Sequence, residues 1–180
     1  MNICPSPSMA GRRNKPVDEA ALDFIDKHRN AFGLKSPKNE LKLLRKSEQQ
    51  WGSVDVSFQQ NINGVPIWGS SVGVHLNKDK DIYVIASPNT VPTPDINTTP
   101  LVTEDEAINV VRADKAKNGY NNYSILEHPV AELVIYKREN SSKLSLAYLV
   151  DCLYMSHNWI YVIDAKDSSI IDKRNITIDD

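Results

Sequence analysis

The sequence predicts an α+β protein of two similar lobes, each a helix packed on an antiparallel sheet, and three observations carry the prediction. An apolar stripe at helical spacing precedes alternating strand patterns in the first half, the same order recurs in the second half, and a run of prolines separates them. The expected organisation is a flexible arm over residues 1–16, a first lobe over 17–87, a proline-rich linker over 88–100 and a second lobe over 101–180. The repetition is one of plan, since no residue-level repeat relates the halves.

Composition bounds the function. With 180 residues, 41% of them hydrophobic and 24% charged, the chain has the make-up of an ordinary globular protein, and a net charge of -2 gives no electrostatic case for nucleic acid or an anionic membrane surface. No apolar run approaches the ~18 residues of a membrane span, and MNICPSPSMAGRRNKP lacks the apolar stretch of ~7 to 15 residues that a signal peptide needs, so no export signal is visible. Cys4 and Cys152 lie far apart in sequence; free thiols are the plain expectation, with a disulfide left open.

In chain order, Pro5, Pro7, Gly11 and Pro16 among basic residues make the arm. Ala21, Ile25, His28 and Phe32, widened by Leu22 and Phe24, predict an amphipathic helix ended at Gly33, with His28 as a packing residue. Leu41–Arg45 reads as a short strand and Lys46–Gly52 as a connection. Val54, Val56 and Phe58 then alternate with Asp55, Ser57 and Gln59, and Trp68, Ser70, Val72, Val74 and Leu76 alternate likewise, which predicts two strands with one buried face. Asn63-Gly64 tolerates positive φ and Pro66 presets φ, so the strands form a hairpin. After a charged turn at Asn77–Asp81, the apolar run Ile82–Ala86 predicts a strand covered on both faces for part of its length.

In the second half, Thr103 with Glu106 is a capping box, and Ala107, Ile108, Val110 and Val111 give the helix an apolar side up to the Asn118-Gly119 stop. Val130–Tyr136, Leu144–Tyr154, Trp159–Asp164 and Ser169–Lys173, separated by polar turns, predict an antiparallel meander.

The pattern of chemistry-bearing residues argues against an enzyme. Histidines 28, 75, 128 and 157 are too scattered for an HExxH helix, and no GxSxG elbow, phosphate-binding loop, GxGxxG turn or CxxC pair is present. No catalytic residue, metal ligand or cofactor is expected. The N-glycosylation patterns beginning at Asn97, Asn122, Asn140 and Asn175 fit chance in an asparagine-rich chain, and Trp51, Trp68 and Trp159 are read as packing residues.

The hairpin carries a resemblance. Phe58, Gln59 and Gln60, the pair Asn63 and Gly64, and then Val65, Pro66, Trp68 and Gly69 resemble the fungalysin/thermolysin propeptide motif. LDFIDKHRNAFGL and NELKLLR upstream look like that family's opening helix and entry strand, while TTPLVTEDEAINVV and YVIDAKDSSII look like its second, PepSY-type half, with Ser168 or Ser169 in place of the usual last-turn glycine. The resemblance implies the proregion of a secreted, thermolysin-like zinc metalloprotease. Such a proregion is not itself an enzyme; it is a folding chaperone and inhibitor whose partner is the protease catalytic domain, in cis or in trans. The protease-contacting tail would be Asn175, Ile176, Thr177, Ile178, Asp179 and Asp180, extended along the cleft with Asp179 or Asp180 near the zinc. The rival expectation is an independent protein-binding module, or a trans-acting protease inhibitor without a catalytic domain of its own.

Overall fold

A computed structural model describes residues 15–86, 89–118, 129–138, 143–152 and 159–176. The fold is α+β, and the chain divides between Pro94 and Asp95 into two compact units. Cys4, His128, His157 and Tyr154 lie outside the described residues.

The first unit begins with helix α1 (Val17–Lys27), whose first turn carries Asp18 and Glu19 and whose last carries Lys27, charges that suit the helix dipole. The helix ends earlier than its apolar stripe suggests. The His28 N–H is shared between the carbonyls of Phe24 and Ile25, and the chain continues as one 3-10 turn over Arg29–Phe32 before Gly33 reverses it at φ 68°. Phe32 therefore still reaches the core, and the half-buried His28 packs its ring 4.6 Å from that of Phe24.

After the short helix α2 (Pro37–Glu40) come four strands, β1 (Leu41–Glu48), β2 (Val54–Ile62), β3 (Val65–Leu76) and β4 (Ile82–Ala86), antiparallel and paired in chain order. β1 is three residues longer than its sequence pattern, because Ser47 and Glu48 still find ladder partners in Asp55 and Val54. Val54, Val56, Phe58, Val72, Val74 and Leu76 all face one core with Ala21, Phe24 and Ile25 of α1, as the alternation demands. Asp55 and His75 pair across the opposite face, with Asp55 Oδ1 2.5 Å from His75 Nδ1. The hairpin turn has both central residues at positive φ, Asn63 at 49° and Gly64 at 88°, which matches the twist of the flanking strands.

Two expectations fail on the far side of that turn. Trp68 does not share the face of Val72 and Val74: Ile67 and Ser70 are buried while Trp68 is half-buried, because the pairing jumps from Gln59↔Ser71 to Asn61↔Pro66 and Gly69 at φ 72° inserts a shift of phase. β4 is not covered on both faces either. It closes the unit's ladder beside β3, burying Ile82 but leaving Tyr83 and Val84 exposed, and an apolar run reads the same whether it ends a sheet or sits within one.

In the second unit, helix α3 (Glu104–Lys117) opens on the expected box: the Glu106 N–H donates to Thr103 Oγ1 at 3.3 Å and the Thr103 N–H to Glu106 Oε2 at 2.7 Å. Four antiparallel strands follow in chain order, β5 (Val130–Lys137), β6 (Leu144–Cys152), β7 (Trp159–Asp164) and β8 (Ile170–Asn175). The Leu101 and Val102 N–H groups converge on the Ala165 carbonyl, and the Tyr148 hydroxyl donates to the Val102 carbonyl, so the entry to α3 is tied to the sheet. Ala107, Ile108 and Val111 of α3 are buried, as are Tyr148 and Val150 of β6 and Ile163 of β7, strands on which the helix packs. The aliphatic part of Lys115 is buried as well, with its ammonium 4.2 Å from the Trp159 ring centre. The β7–β8 turn places Ser168 at φ 63°, the left-handed position a glycine fills without strain.

Two outcomes are expected of stability measurements. Phe58→Ala empties a buried aromatic site and should cost about 3 to 5 kcal/mol by urea unfolding; an unchanged midpoint would contradict its place in the core. Ser168→Gly should instead raise stability by about 1 kcal/mol, since it relieves a left-handed residue, and a loss on this substitution would mean the hydroxyl is worth more than the strain.

Candidate functional site

The motif residues divide into those that build the hairpin and those that hold something against it. Phe58 is core; Asn63 and Gly64 form the exposed turn; Val65 and Pro66 start β3, half-buried. Gln59 serves the phase shift. Its side-chain amide donates to the carbonyls of Ile67 (2.7 Å) and Ser70 (2.8 Å), residues without a register partner in β2, and to that of its neighbour Gln60 (3.0 Å).

Gln60 is wholly buried and its amide works at both ends. Oε1 accepts from the Val91 N–H (2.9 Å) and the Ser70 hydroxyl (2.7 Å), while Nε2 donates to the Val91 carbonyl (2.9 Å) and, more weakly, to Glu40 Oε2 (3.4 Å). The Val91 N–H can only donate, which settles which end of the amide is oxygen. Glu40, at 5% exposure, is a buried carboxylate satisfied by four donors: the Lys35 and Ser36 N–H groups, the Thr93 hydroxyl and Gln60. Charge-assisted bonds of this kind offset the cost of burying it.

The expected linker is thus engaged over its first half. Residues 89–100 have no regular secondary structure, yet Asn89 donates to the Ser71 carbonyl, the Thr90 hydroxyl to the Phe32 carbonyl and the Thr93 N–H to the Gly33 carbonyl, and Pro92 Cα would lie 3.2 Å from a Cβ at Gly33. Glu40 and Thr93 carry no signal in the sequence pattern, and Ser70 reads there only as a residue of the buried face of its strand. The available signal was Gln60 itself, since the even-numbered face of β2 turns inward and a glutamine there needs polar company.

The predicted tail leaves from β8, which pairs with β7 along one side: Trp159↔Asn175, Ile160↔Arg174, Tyr161↔Lys173 and Val162↔Asp172. Ile176 is 41% exposed; Thr177, Ile178, Asp179 and Asp180 lie outside the described residues. The strand is pinned before the tail begins. Lys173 Nζ lies 3.1 Å from Asp114 of α3, whose carboxylate also accepts from the Tyr161 hydroxyl at 2.8 Å. Asp172 accepts from the Tyr136 hydroxyl at 2.5 Å and from Arg174 Nε at 3.0 Å, and Arg138 donates to the Ile171 carbonyl. The hairpin and the tail strand belong to different units, and no group of three or more metal-ligating side chains occurs among the described residues.

The Tyr136 hydrogen bond, aided by Arg174, holds the Asp172 carboxyl below its ordinary value of 3.8, and burial pushes the Tyr136 phenol up. A depressed carboxylate adds stability that is present above its ordinary value and lost as pH falls through the lowered one. Asp172→Asn should therefore be less stable than the parent at neutral pH, with the difference shrinking as the pH is taken below 3.8. Urea unfolding across the acid range checks this, and a difference constant with pH would exclude the charged carboxylate, with its Tyr136 and Arg174 partners, as its source.

Residues 39–86 match the family model described as Fungalysin/Thermolysin Propeptide Motif, a span running from α2 to the end of β4. The chain is 29% identical over 169 residues to a thermolysin of Alicyclobacillus acidocaldarius, covering 88% of this chain and 30% of that protein. It is 25% identical over 181 residues to a thermostable neutral protease of Geobacillus stearothermophilus, covering 94% and 32%, and 29% identical over 181 residues to a bacillolysin of Bacillus caldolyticus, covering 94% and 31%. It spans about a third of the length of these relatives. Among solved structures, a Bacillus megaterium YpeB C-terminal domain aligns with 97% of this chain and 69% of its own at 14% identity and a TM-score of 0.46, too loose a likeness to add weight. Residues 39–86 are a fungalysin/thermolysin propeptide motif, carried in a chain similar along nearly its whole length to thermolysin-type neutral proteases.

Proposed function

We infer that the chain is the proregion of a thermolysin-like zinc metalloprotease and acts as folding chaperone and inhibitor of the protease domain, in an extracellular setting. The observation that carries the reading is the motif match at residues 39–86, set within a similarity that covers 88 to 94% of this chain but only about a third of each protease. On this reading residues 17–87 form the motif-bearing lobe and 101–180 a similar, PepSY-like lobe.

Both roles need a preformed surface. A template that binds the native protease domain better than its unfolded chain shifts that domain's folding equilibrium by mass action, and the same preference keeps it seated on the folded product. The inhibitory part is the tail. β8 is anchored to α3 by Lys173 and to β5 by Asp172 and Arg174, so the chain reaches Ile176 from a fixed strand. Ile176-Thr177-Ile178 followed by Asp179-Asp180 alternates apolar and polar groups and ends in two carboxylates, a pattern suited to strand addition along a cleft that holds a metal ion.

Titration of a thermolysin-type neutral protease with the purified chain, and with a form ending at Asn175 that keeps Arg174 in place, tests this. The full chain should inhibit and should speed refolding of the denatured protease domain; the shortened form should inhibit at least about tenfold more weakly while still aiding refolding. Equal inhibition by both forms removes the tail from the mechanism. Neither inhibition nor an effect on refolding would favour an independent protein-binding module.

A further inference from the structure

We propose that the first unit carries a recognition groove for an extended, proline-containing peptide, and that the chain fills this groove with its own residues Asn89–Thr93. The proposal does not depend on the protease reading. It rests on how the segment is held. The N–H groups of Asn89, Val91 and Thr93 donate to the Ser71 carbonyl, Gln60 Oε1 and the Gly33 carbonyl, and the Val91 carbonyl accepts from Gln60 Nε2. Every second residue bonds inward, which is the pattern of a strand laid on a sheet edge, except that a side-chain amide takes the place of the neighbouring strand at Val91.

The alternation explains the prolines. Pro92 and Pro94 occupy the intervening positions, where an inward N–H is not required, so they cost the groove no hydrogen bond and deprive the segment's outer side of donors for further strand pairing. Side chains add selectivity. The Thr90 hydroxyl donates to the Phe32 carbonyl and the Thr93 hydroxyl to Glu40, while Pro92 lies so close to Gly33 that a Cβ there would meet its backbone at 3.2 Å. The ligand class is thus an extended peptide with hydroxyl residues three apart, a small apolar residue after the first and proline before the second. Gln60, inside the propeptide motif, is the central recognition group, so the motif's second glutamine marks a peptide clamp.

Hydrogen exchange on the unaltered full chain gives the first test. The Val91 and Thr93 amides should be protected although they lie in no helix or strand, and Gln60→Leu should speed Val91 exchange at least about tenfold while leaving the Val74 amide in the ladder unaffected. The second test replaces residues 89–93 of the full chain by Gly-Ser-Gly-Ser-Gly and adds the synthetic capped peptide Asn-Thr-Val-Pro-Thr. Binding should saturate, a scrambled peptide should bind at least about tenfold more weakly, and Gln60→Leu in the same background should abolish the difference. Unprotected Val91 and Thr93 amides in the unaltered chain, or equal binding of the two peptides, would overturn the proposal. If the replaced chain does not fold, the exchange result alone decides.

Discussion

The first unit depends on one buried amide. Gln60 has no access to solvent, so each of its polar atoms must find a partner inside the protein, and the fold supplies Ser70, Val91 and Glu40 from three separate parts of the chain. A buried network of this sort is unforgiving, because a missing partner costs the desolvation of whatever it leaves exposed to an apolar interior. The consequence is that the 3-10 turn before Gly33, the short helix ending at Glu40, the irregular stretch of β3 and the segment after β4 settle together. The core beneath them follows ordinary apolar packing, but their mutual register is set by hydrogen bonds.

Much of the fold was legible in the sequence where a single physical rule governs. The period of two placed Val54, Val56, Phe58, Val72 and Val74 in one core because a strand has only two faces, and Thr103 with Glu106 marked the start of α3 because four backbone donors there need acceptors. The pattern misled where two rules competed. Trp68 continues the alternation of β3 backward in the sequence, yet Gly69 adopts φ 72° and changes the phase, a cost met by the Gln59 amide. An isolated glycine within a strand pattern was the signal for that bulge.

The candidate site was less legible than the fold. Proline content marked residues 88–100 as a segment unable to join a helix or a central strand, and that much holds for residues 89–100, but composition is silent on whether such a segment is free or held. Much of what holds residues 89–93 is contributed by Phe32, Gly33, Glu40 and Gln60, between about thirty and sixty residues away in the chain, and hydrogen bonds at that separation leave no periodic trace. The motif was recognisable as a string before its chemistry was. Phe58 would be expected in any hairpin core, whereas two successive glutamines on opposite faces of a strand have no packing reason and only make sense once their acceptors are known.

The two glutamines also differ from the core residues around them in how narrowly their identity is constrained. Apolar core positions accept several residues of similar volume, so a core by itself specifies a pattern more than a sequence. An amide that must donate and accept at once, at fixed distance from a backbone N–H and C=O, accepts only glutamine or asparagine, and the reach from β2 to Val91 excludes the shorter side chain without movement of the backbone. Gly64 and Gly69 are constrained for a related reason, since each holds a positive φ on which the placement of these amides depends. The stringent part of this stretch is therefore its hydrogen-bonding geometry and the backbone that aims it.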